Sequence, residues 1–271
     1  MTTQSEKGTA LITGASSGIG AIYADRLAKE GFNLILVARN GERLRTMANS
    51  LTTSSKRSVE IIAADLTNAS DLARIEDTLK KDSSITLLLN NAGFGSAAPL
   101  LQSDVNKMKG MIDLNVTALT RLTYAAVPGF VARGKGTIIN ISSIVAIAPE
   151  MLNGVYGASK AYVMAFTRSL QHELADKGIR VQAVLPGATA TEFWNIAGAP
   201  ISTLPKGIVM PAEDMVDAAL AGLAQGELFT IPSLPNKTDF DAYEKAREVL
   251  LPNLSRATPA ERYGVHKHVA T

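Results

Sequence analysis

Thr9-Ala-Leu-Ile-Thr-Gly-Ala-Ser-Ser-Gly-Ile-Gly20 decides how the chain is read. Residues 9–12 are apolar and partly β-branched, and glycines follow at once, which predicts a buried strand running into a turn. Glycines stand at 14, 18 and 20, and residues 21–30 predict a helix that stops at Gly31. Strand, glycine turn and helix are the local setting that a dinucleotide needs. Glycine lets backbone approach a pyrophosphate, and the helix start offers unpaired N–H groups at the positive end of its dipole. The spacing is G-x-x-x-G-x-G, not G-x-G-x-x-G, so the general fingerprint is not met letter for letter and the turn alone is equally compatible with a structural role.

Downstream the same alternation continues. Residues 33–38 predict a second strand, and Ala38 stands where NAD-binding halves usually carry an acid for the ribose 2′-hydroxyl. Arg39 follows, and a guanidinium fork suits a 2′-phosphate, with Arg43 placed to assist; the other reading of Arg39 is a solvated surface arginine. Residues 59–64 predict a third strand closing in Asp65-Leu66, where the carboxylate either bonds an adenine amino group or caps the helix predicted over 71–81. Residues 85–89 predict a fourth strand ending in Asn90-Asn-Ala-Gly93, and a long helix is expected over 105–128 with Asn115 inside it. Asn is a poor helix former, and a core polar residue bonded to nearby backbone accounts for it equally well. A fifth strand (137–141) runs into Ser142-Ser143, a helix extends to about residue 176, and a sixth strand (180–185) precedes Pro186-Gly187. Residues 192–196 form a short apolar segment, 211–225 an amphipathic helix and 228–231 a last strand.

Strands alternating with helices without a composition break predict an α/β fold: one Rossmann-type, doubly wound parallel sheet of about seven strands with right-handed crossovers. Residues 1–231 form this domain, and 232–271, punctuated by Pro235, Pro252 and Pro259, read as a C-terminal helical extension of it. The 271 residues are enough for one large core, 46% hydrophobic and 19% charged, and a net charge of +2 with scattered Lys and Arg argues against nucleic-acid or acidic-membrane partners. The chain has no cysteine, which excludes disulfides, thiol catalysis and Cys-based zinc sites. His266 and His268 have a metal-compatible spacing, but with no carboxylate near they read as a solvated tail, and no metal is expected. A polar start and the lack of an apolar run of about 20 residues predict a cytoplasmic protein.

Tyr156-Gly-Ala-Ser-Lys160 is a candidate proton-moving pair, although Tyr-x-x-x-Lys also arises by chance in many helices and alone is a weak signal. On a helix, residues four apart share a face one turn apart. A nearby ammonium favours phenolate over phenol, so the pair is expected to lower the tyrosine's pKa from about 10 and move a proton near neutral pH.

Taken in order, the glycine turn of residues 13–20, Asn90-Asn-Ala-Gly93, Asn115, Ser143, Tyr156-x-x-x-Lys160 and Pro186-Gly187 resemble the short-chain dehydrogenase/reductase family over roughly residues 7–231. The resemblance implies roles. Tyr156 would be the general acid/base, Ser143 would hydrogen-bond the carbonyl oxygen, Lys160 would bond the nicotinamide ribose and lower the phenol's pKa, and Asn115 would hold a water of a proton relay. Ser142 competes with Ser143 for the serine role, and the distance in sequence to Tyr156 favours Ser143. Gly14, Ser16, Ser17, Gly18, Ile19 and Gly20 would line the phosphates and adjoining ribose. Arg39 would take the 2′-phosphate, and Asp65 with Leu66 the adenine. Asn91, Ala92 and Gly93 would pass beneath the cofactor, while Pro186, Gly187, Thr189 and Thr191 would hold the carboxamide. Phe94, Ser143, Ile144, Ala146, Met151, Leu152, Phe193 and Trp194 would border an apolar substrate pocket.

The expected activity is NADPH-dependent reduction of a ketone or aldehyde, apolar or aromatic, by hydride transfer from nicotinamide C4. An NAD(P)-dependent alcohol dehydrogenase working mainly by oxidation and a non-catalytic cofactor-binding regulator are the alternatives. The resemblance also implies a homodimer or homotetramer.

Overall fold

Seven parallel strands form one sheet in the computed structural model, which describes residues 7–265; His266 and His268 lie outside them. The strands are β1 (Thr9–Thr13), β2 (Asn33–Ala38), β3 (Val59–Ala63), β4 (Ile85–Asn90), β5 (Gly136–Ile141), β6 (Ile179–Val184) and β7 (Phe229–Thr230). Their order is β3-β2-β1-β4-β5-β6-β7, every neighbouring pair parallel. Winding therefore reverses between β1 and β4, and in such sheets a crevice opens at that reversal, beyond the carboxyl ends of the strands.

Alternation along each strand explains the two layers. Leu11, Ile35, Val37, Leu88 and Ile138 point to one face, where they pack with α3 (Ala69–Lys81), α5 (Leu119–Arg133) and α6 (Gly154–Leu174). Ala10, Ile12, Leu34, Leu36, Leu87 and Leu89 point to the other, against α1 (Gly18–Lys29), α2 (Gly41–Ser55) and α8 (Ala212–Ala224), which the short α7 (Phe193–Ala197) precedes in the chain. Each buried Leu or Ile contributes about 1.5–3 kcal/mol, so two continuous apolar faces fix the register of the sheet. A one-residue slip would turn both sets over.

Element ends are set by side chains. Asn40 accepts from the Arg43 N–H at the start of α2, and Asn68 accepts from Ser70 and Asp71, which starts α3 at Ala69 rather than the expected residue 71. Asn153 accepts from Val155 and Tyr156 and so starts α6 two residues before the tyrosine. The long helix expected over 105–128 is different in detail. It comprises α4 (Val105–Ile112), a π-helical stretch Asp113–Ala118 and α5, which passes through Pro128 to Arg133. Proline removes one ladder N–H, whose acceptor would be the carbonyl of Tyr124, an exposed residue where water can serve it. Continuing the helix buries Phe130, and Gly134, at φ 62°, ends it. The last strand covers two residues instead of the expected four.

A buried polar chain crosses the sheet below the crevice. Asn90 donates to Thr123 on α5 and to Asn140 on β5, and Asn140 donates to Thr167 on α6. Such a chain specifies neighbours, because an unpaired buried amide costs about 1–3 kcal/mol.

At the first turn, a Cβ added to Gly20 would overlap the Gly14 carbonyl and the Asn91 amide. Gly20→Ala is therefore expected to lower stability by about 1–3 kcal/mol, read by urea unfolding; unchanged stability would show that the turn relaxes freely.

The chain divides between Ser233 and Leu234. The second unit holds α9 (Lys237–Leu250), none of whose residues is buried, with Phe240 stacked on Tyr243 at 5.6 Å. Among the described residues no helix is long and apolar enough to cross a membrane, and no group of three or more His, Asp or Glu could hold a metal ion.

Candidate active site

Two turns meet at the reversal of the sheet. After β1, Thr13 accepts from the Asn91 and Ala92 N–H groups at 3.0 Å each and donates to the Leu89 carbonyl. The Asn91 amide donates back to the carbonyls of Thr13 and Gly14. Gly14 has φ +64°, and a Cβ there would come within 2.8 Å of Ala92 Cα, so only glycine lets the turns approach this closely. Asn91 thus locks the turns together.

The helix that begins here is prepared for an anion. Ser17 precedes α1 without a side-chain cap, and its first turn carries no acid. In contrast, Asn40, Asn68, Asp104 and Asn153 cap α2, α3, α4 and α6. The first N–H groups of α1 thus remain without side-chain acceptors beside the Gly14–Gly18 turn.

Just beyond the carboxyl end of β2, Arg39 is exposed and has no hydrogen-bond or ion-pair partner among the described residues. Asp65 accepts from the Thr67 N–H and hydroxyl, at 2.9 and 2.7 Å, which holds its carboxyl below the usual range, with the Arg39 charge as a lesser cause. One Asp65 oxygen is therefore engaged in the local turn. Leu66 is buried in the core.

The reacting end gathers at the carboxyl edge of β4 and β5 and the start of α6. The Ser143 hydroxyl donates to the Pro186 carbonyl at 3.4 Å, accepts from the Val145 N–H at 3.3 Å and lies near enough to the Tyr156 phenol to favour its ionised form. Ser142 is committed elsewhere, donating to the Lys160 carbonyl at 2.8 Å in the core. Lys160 Nζ lies 5.9 Å from the Tyr156 ring centroid and donates to the Ile141 carbonyl at 2.8 Å.

Burial, not the ammonium, dominates the titration of this pair. It pushes Tyr156 up to about 12, against the lowering contributed by Ser143, and pushes Lys160 down to about 8. The sequence-based expectation of a lowered phenol is therefore not met in the chain alone. The ammonium lies 5.9 Å from the ring centroid and bonds the Ile141 carbonyl, and the desolvated hydroxyl resists ionisation. At neutral pH the phenol holds its proton and the lysine keeps its charge.

Asn115 lies in the π-helical stretch. Its amide is spent on protein: Oδ1 accepts from the Phe94 N–H, and Nδ2 donates to the Phe94 carbonyl and to Ser159. A Cβ on Gly93 would fall 2.9 Å from Asn115 Oδ1 and 3.6 Å from Lys160 Nζ, so a side chain there would fill the space between them.

Around Tyr156 an apolar wall forms from Phe94, Leu152 and Phe193. Two residues expected at the pocket stand differently. Met151 is largely exposed, and Trp194 is buried, its indole N–H donating to the Thr189 carbonyl. Ile144 and Ala146 are half-buried on the turn after β5, and Pro186 accepts from the Ile144 N–H.

Sequence reasoning missed Val145, Met108 and Met111, which pack with Tyr156, Ser159, which holds Asn115, and Gly95, where a Cβ would overlap the Phe193 ring. The helical spacing of Ser159 between Tyr156 and Lys160 was the one available signal. An apolar cavity of about 470 Å³, lined by Met108, Ile112, Val155 and Ala158 among others, adjoins this assembly through Met108, Val155, Asn153 and Ser159, while Tyr156, Ser143 and Lys160 do not line it.

The glycine cradle, the acid-free helix start, the unpaired Arg39 and the space at Gly93 fit a phosphorylated nicotinamide dinucleotide lying from Arg39 to Lys160.

A family model described as short chain dehydrogenase matches residues 8–199. Among solved structures, the short-chain dehydrogenase from Sphingobium yanoikuyae in complex with NADPH is 46% identical, with a TM-score of 0.92 over 94% of this chain and 99% of that one. The bulky-bulky ketone specific alcohol dehydrogenase from Comamonas testosteroni is 44% identical, with a TM-score of 0.87 over 94% and 98%. Among sequences, the human inactive hydroxysteroid dehydrogenase-like protein 1 is 36% identical over 68% of this chain. The match spans 56% of that relative's length.

Proposed function

The chain belongs to the short-chain dehydrogenase family, and on that footing we propose that it reduces a ketone to an alcohol with NADPH, Tyr156 delivering the proton. The observation that carries this reading is the gathering of Ser143, the buried Tyr156 phenol and buried Lys160 at the carboxyl edge of the sheet, with Lys160 Nζ 5.9 Å from the phenol ring centroid.

Each residue has a task. The buried phenol is protonated at neutral pH and is therefore a donor, which is what reduction requires. A carbonyl oxygen placed between the Ser143 and Tyr156 hydroxyls accepts from both, and those donors strengthen as the oxygen gains charge. When the proton leaves Tyr156, the Lys160 ammonium offsets the phenolate. Asn115 fixes the Phe94 backbone and Ser159, and so the walls on either side of the phenol. Arg39 and the first N–H groups of α1 bind phosphate, and Gly93 leaves room beside Lys160. Bound NADPH supplies the hydride that reaches the carbonyl carbon.

The substrate class follows from the wall of Phe94, Leu152 and Phe193, together with Ile144 and Ala146: a ketone carrying bulky apolar groups. The Comamonas structure, described as specific for bulky-bulky ketones, supports the same class. The human relative is named inactive. This chain, however, keeps Ser143, Tyr156 and Lys160 buried at one end of the sheet, with Lys160 Nζ 5.9 Å from the Tyr156 ring centroid, which favours turnover over a purely regulatory role.

Initial rates on a diaryl ketone with NADPH and with NADH test the reading. NADPH is expected to be the better donor, and faster turnover with NADH would overturn the role of Arg39. Arg39→Ala is expected to lower the NADPH-to-NADH ratio of kcat/KM by about 10–100-fold, the worth of one or two charge-assisted hydrogen bonds.

A further inference from the structure

Three consecutive residues after β6 cross the crevice. Thr191 rests on the glycine turn: a Cβ built on Gly18 would lie 3.2 Å from its methyl. Glu192 reaches the opposite bank, where Arg43 in the first turn of α2 donates through Nη1 at 2.9 Å and Nη2 at 3.4 Å to its two carboxylate oxygens. Phe193 returns to the reacting end, its ring centroid 5.6 Å from that of Tyr156 and its edge in the space left by Gly95.

Both ends of the segment are anchored on its own bank. Ala190 donates to the Met210 carbonyl, and Met210 donates to that of Ala188. The Trp194 indole donates to Thr189, and Ala97 donates to the Ala197 carbonyl. Glu192 has a different partner, a helix of the adenosine end.

We propose that Glu192 is a positioning residue: through Arg43 it holds the 191–193 segment down across the crevice, retaining the bound dinucleotide and seating Phe193 against Tyr156. The inference rests on the crevice being the cofactor site. It gives Arg43 a task separate from any contact with a 2′-phosphate, because the pair exists between protein groups alone. The bidentate geometry favours a defined position for the segment over a loose electrostatic attraction. Its half-exposed setting keeps the bond weak enough to open at each turnover. Release of the dinucleotide requires that opening, so the pair acts on the dissociation rate more than on association.

The molecule carries its own reporter. Trp194 is the sole tryptophan and lies next to Phe193, rings edge-on at 5.5 Å. Its fluorescence, quenched by a reduced nicotinamide, follows binding and release without turnover. NADH is the probe, since it lacks the 2′-phosphate that would itself draw on Arg43.

In stopped-flow displacement, Glu192→Gln is expected to speed NADH release about two- to fivefold at low salt. The gap from wild type is expected to close near 1 M salt, where the screening length is about 3 Å. The charge-swapped pair Arg43→Glu with Glu192→Arg is expected to restore slow release, which a loss of one carboxylate's unrelated effect would not do. Equal NADH release from wild type and Glu192→Gln, in proteins that both bind NADH, would overturn the inference while leaving the cofactor reading intact. Failure of wild type to show Trp194 quenching by either NADPH or NADH would overturn the cofactor reading and the inference with it.

Discussion

Tyr156→Phe is expected to lower ketone turnover by about 10²–10⁴-fold while leaving NADPH binding, followed by Trp194 quenching, close to wild type. The substitution keeps the ring, its contact with Phe193 and the apolar wall of Phe94 and Leu152, and removes only the phenol oxygen near Ser143. The fold is expected to change in stability by no more than about 1 kcal/mol, the worth of a single hydrogen bond. The reaction loses its proton donor, because nothing else near the expected carbonyl position holds a transferable proton in the same place. Ser143 can still polarise the oxygen, which sets the residual rate. Its hydroxyl is a far weaker acid and has the Pro186 carbonyl as a second partner at 3.4 Å. Turnover within a few fold of wild type would show that water or Ser143 supplies the proton, and would remove Tyr156 from its role.

The parts of the site that the sequence made legible are those fixed by short-range rules. Glycines at 14, 18 and 20 announced a close approach, since backbone contact excludes a Cβ, and the structure has Gly14 against Ala92 and Gly20 against Gly14. Period-two and helical patterns announced the doubly wound sheet, because each strand must bury both faces. Four-residue spacing put Tyr156 and Lys160 on one face of α6.

What stayed hidden depends on distances between segments far apart in sequence. The Arg43–Glu192 pair joins residues 149 positions apart, and neither charge signals the other: Arg43 reads as an aid to Arg39, and Glu192 carries no signal of its own. The family resemblance implies Trp194 at the pocket, but its indole N–H needs an acceptor once buried and finds the Thr189 carbonyl. The direction of the phenol's titration was misjudged for a related reason. Spacing gives proximity of a lysine, whereas the outcome depends on how completely both groups are desolvated, and burial is a property of the assembled core.

That burial leads to the second large effect. Lys160→Met is expected to make the protein more stable at pH 7 while abolishing most of its turnover. Lys160 lies within the core with its Nζ on the Ile141 carbonyl, and burial lowers it to about 8 from an ordinary value near 10.4. A base whose folded pKa is depressed costs the fold most where both states are protonated, below about pH 8. As pH rises from there toward 10.4, the unfolded chain binds more protons than the native one, so stability climbs through that window. The depression corresponds to a penalty on the order of 3 kcal/mol below pH 8. Methionine fills a similar volume, carries no charge and forfeits the hydrogen bond to Ile141, about 1 kcal/mol, which leaves a net gain of about 1–3 kcal/mol. Urea unfolding at pH 7 and pH 10 reads both numbers. The variant should exceed wild type at pH 7, and the gap should narrow by pH 10; Tyr156, raised by burial, loses stability only above that range and does not blur the comparison. Turnover should fall by about 10²–10⁴-fold, since the phenolate left by proton transfer then has no buried cation to offset it. A variant less stable than wild type at pH 7 would mean that the ammonium is better solvated than its burial implies, and the charge at Lys160 would then not be a cost that the fold bears for the reaction.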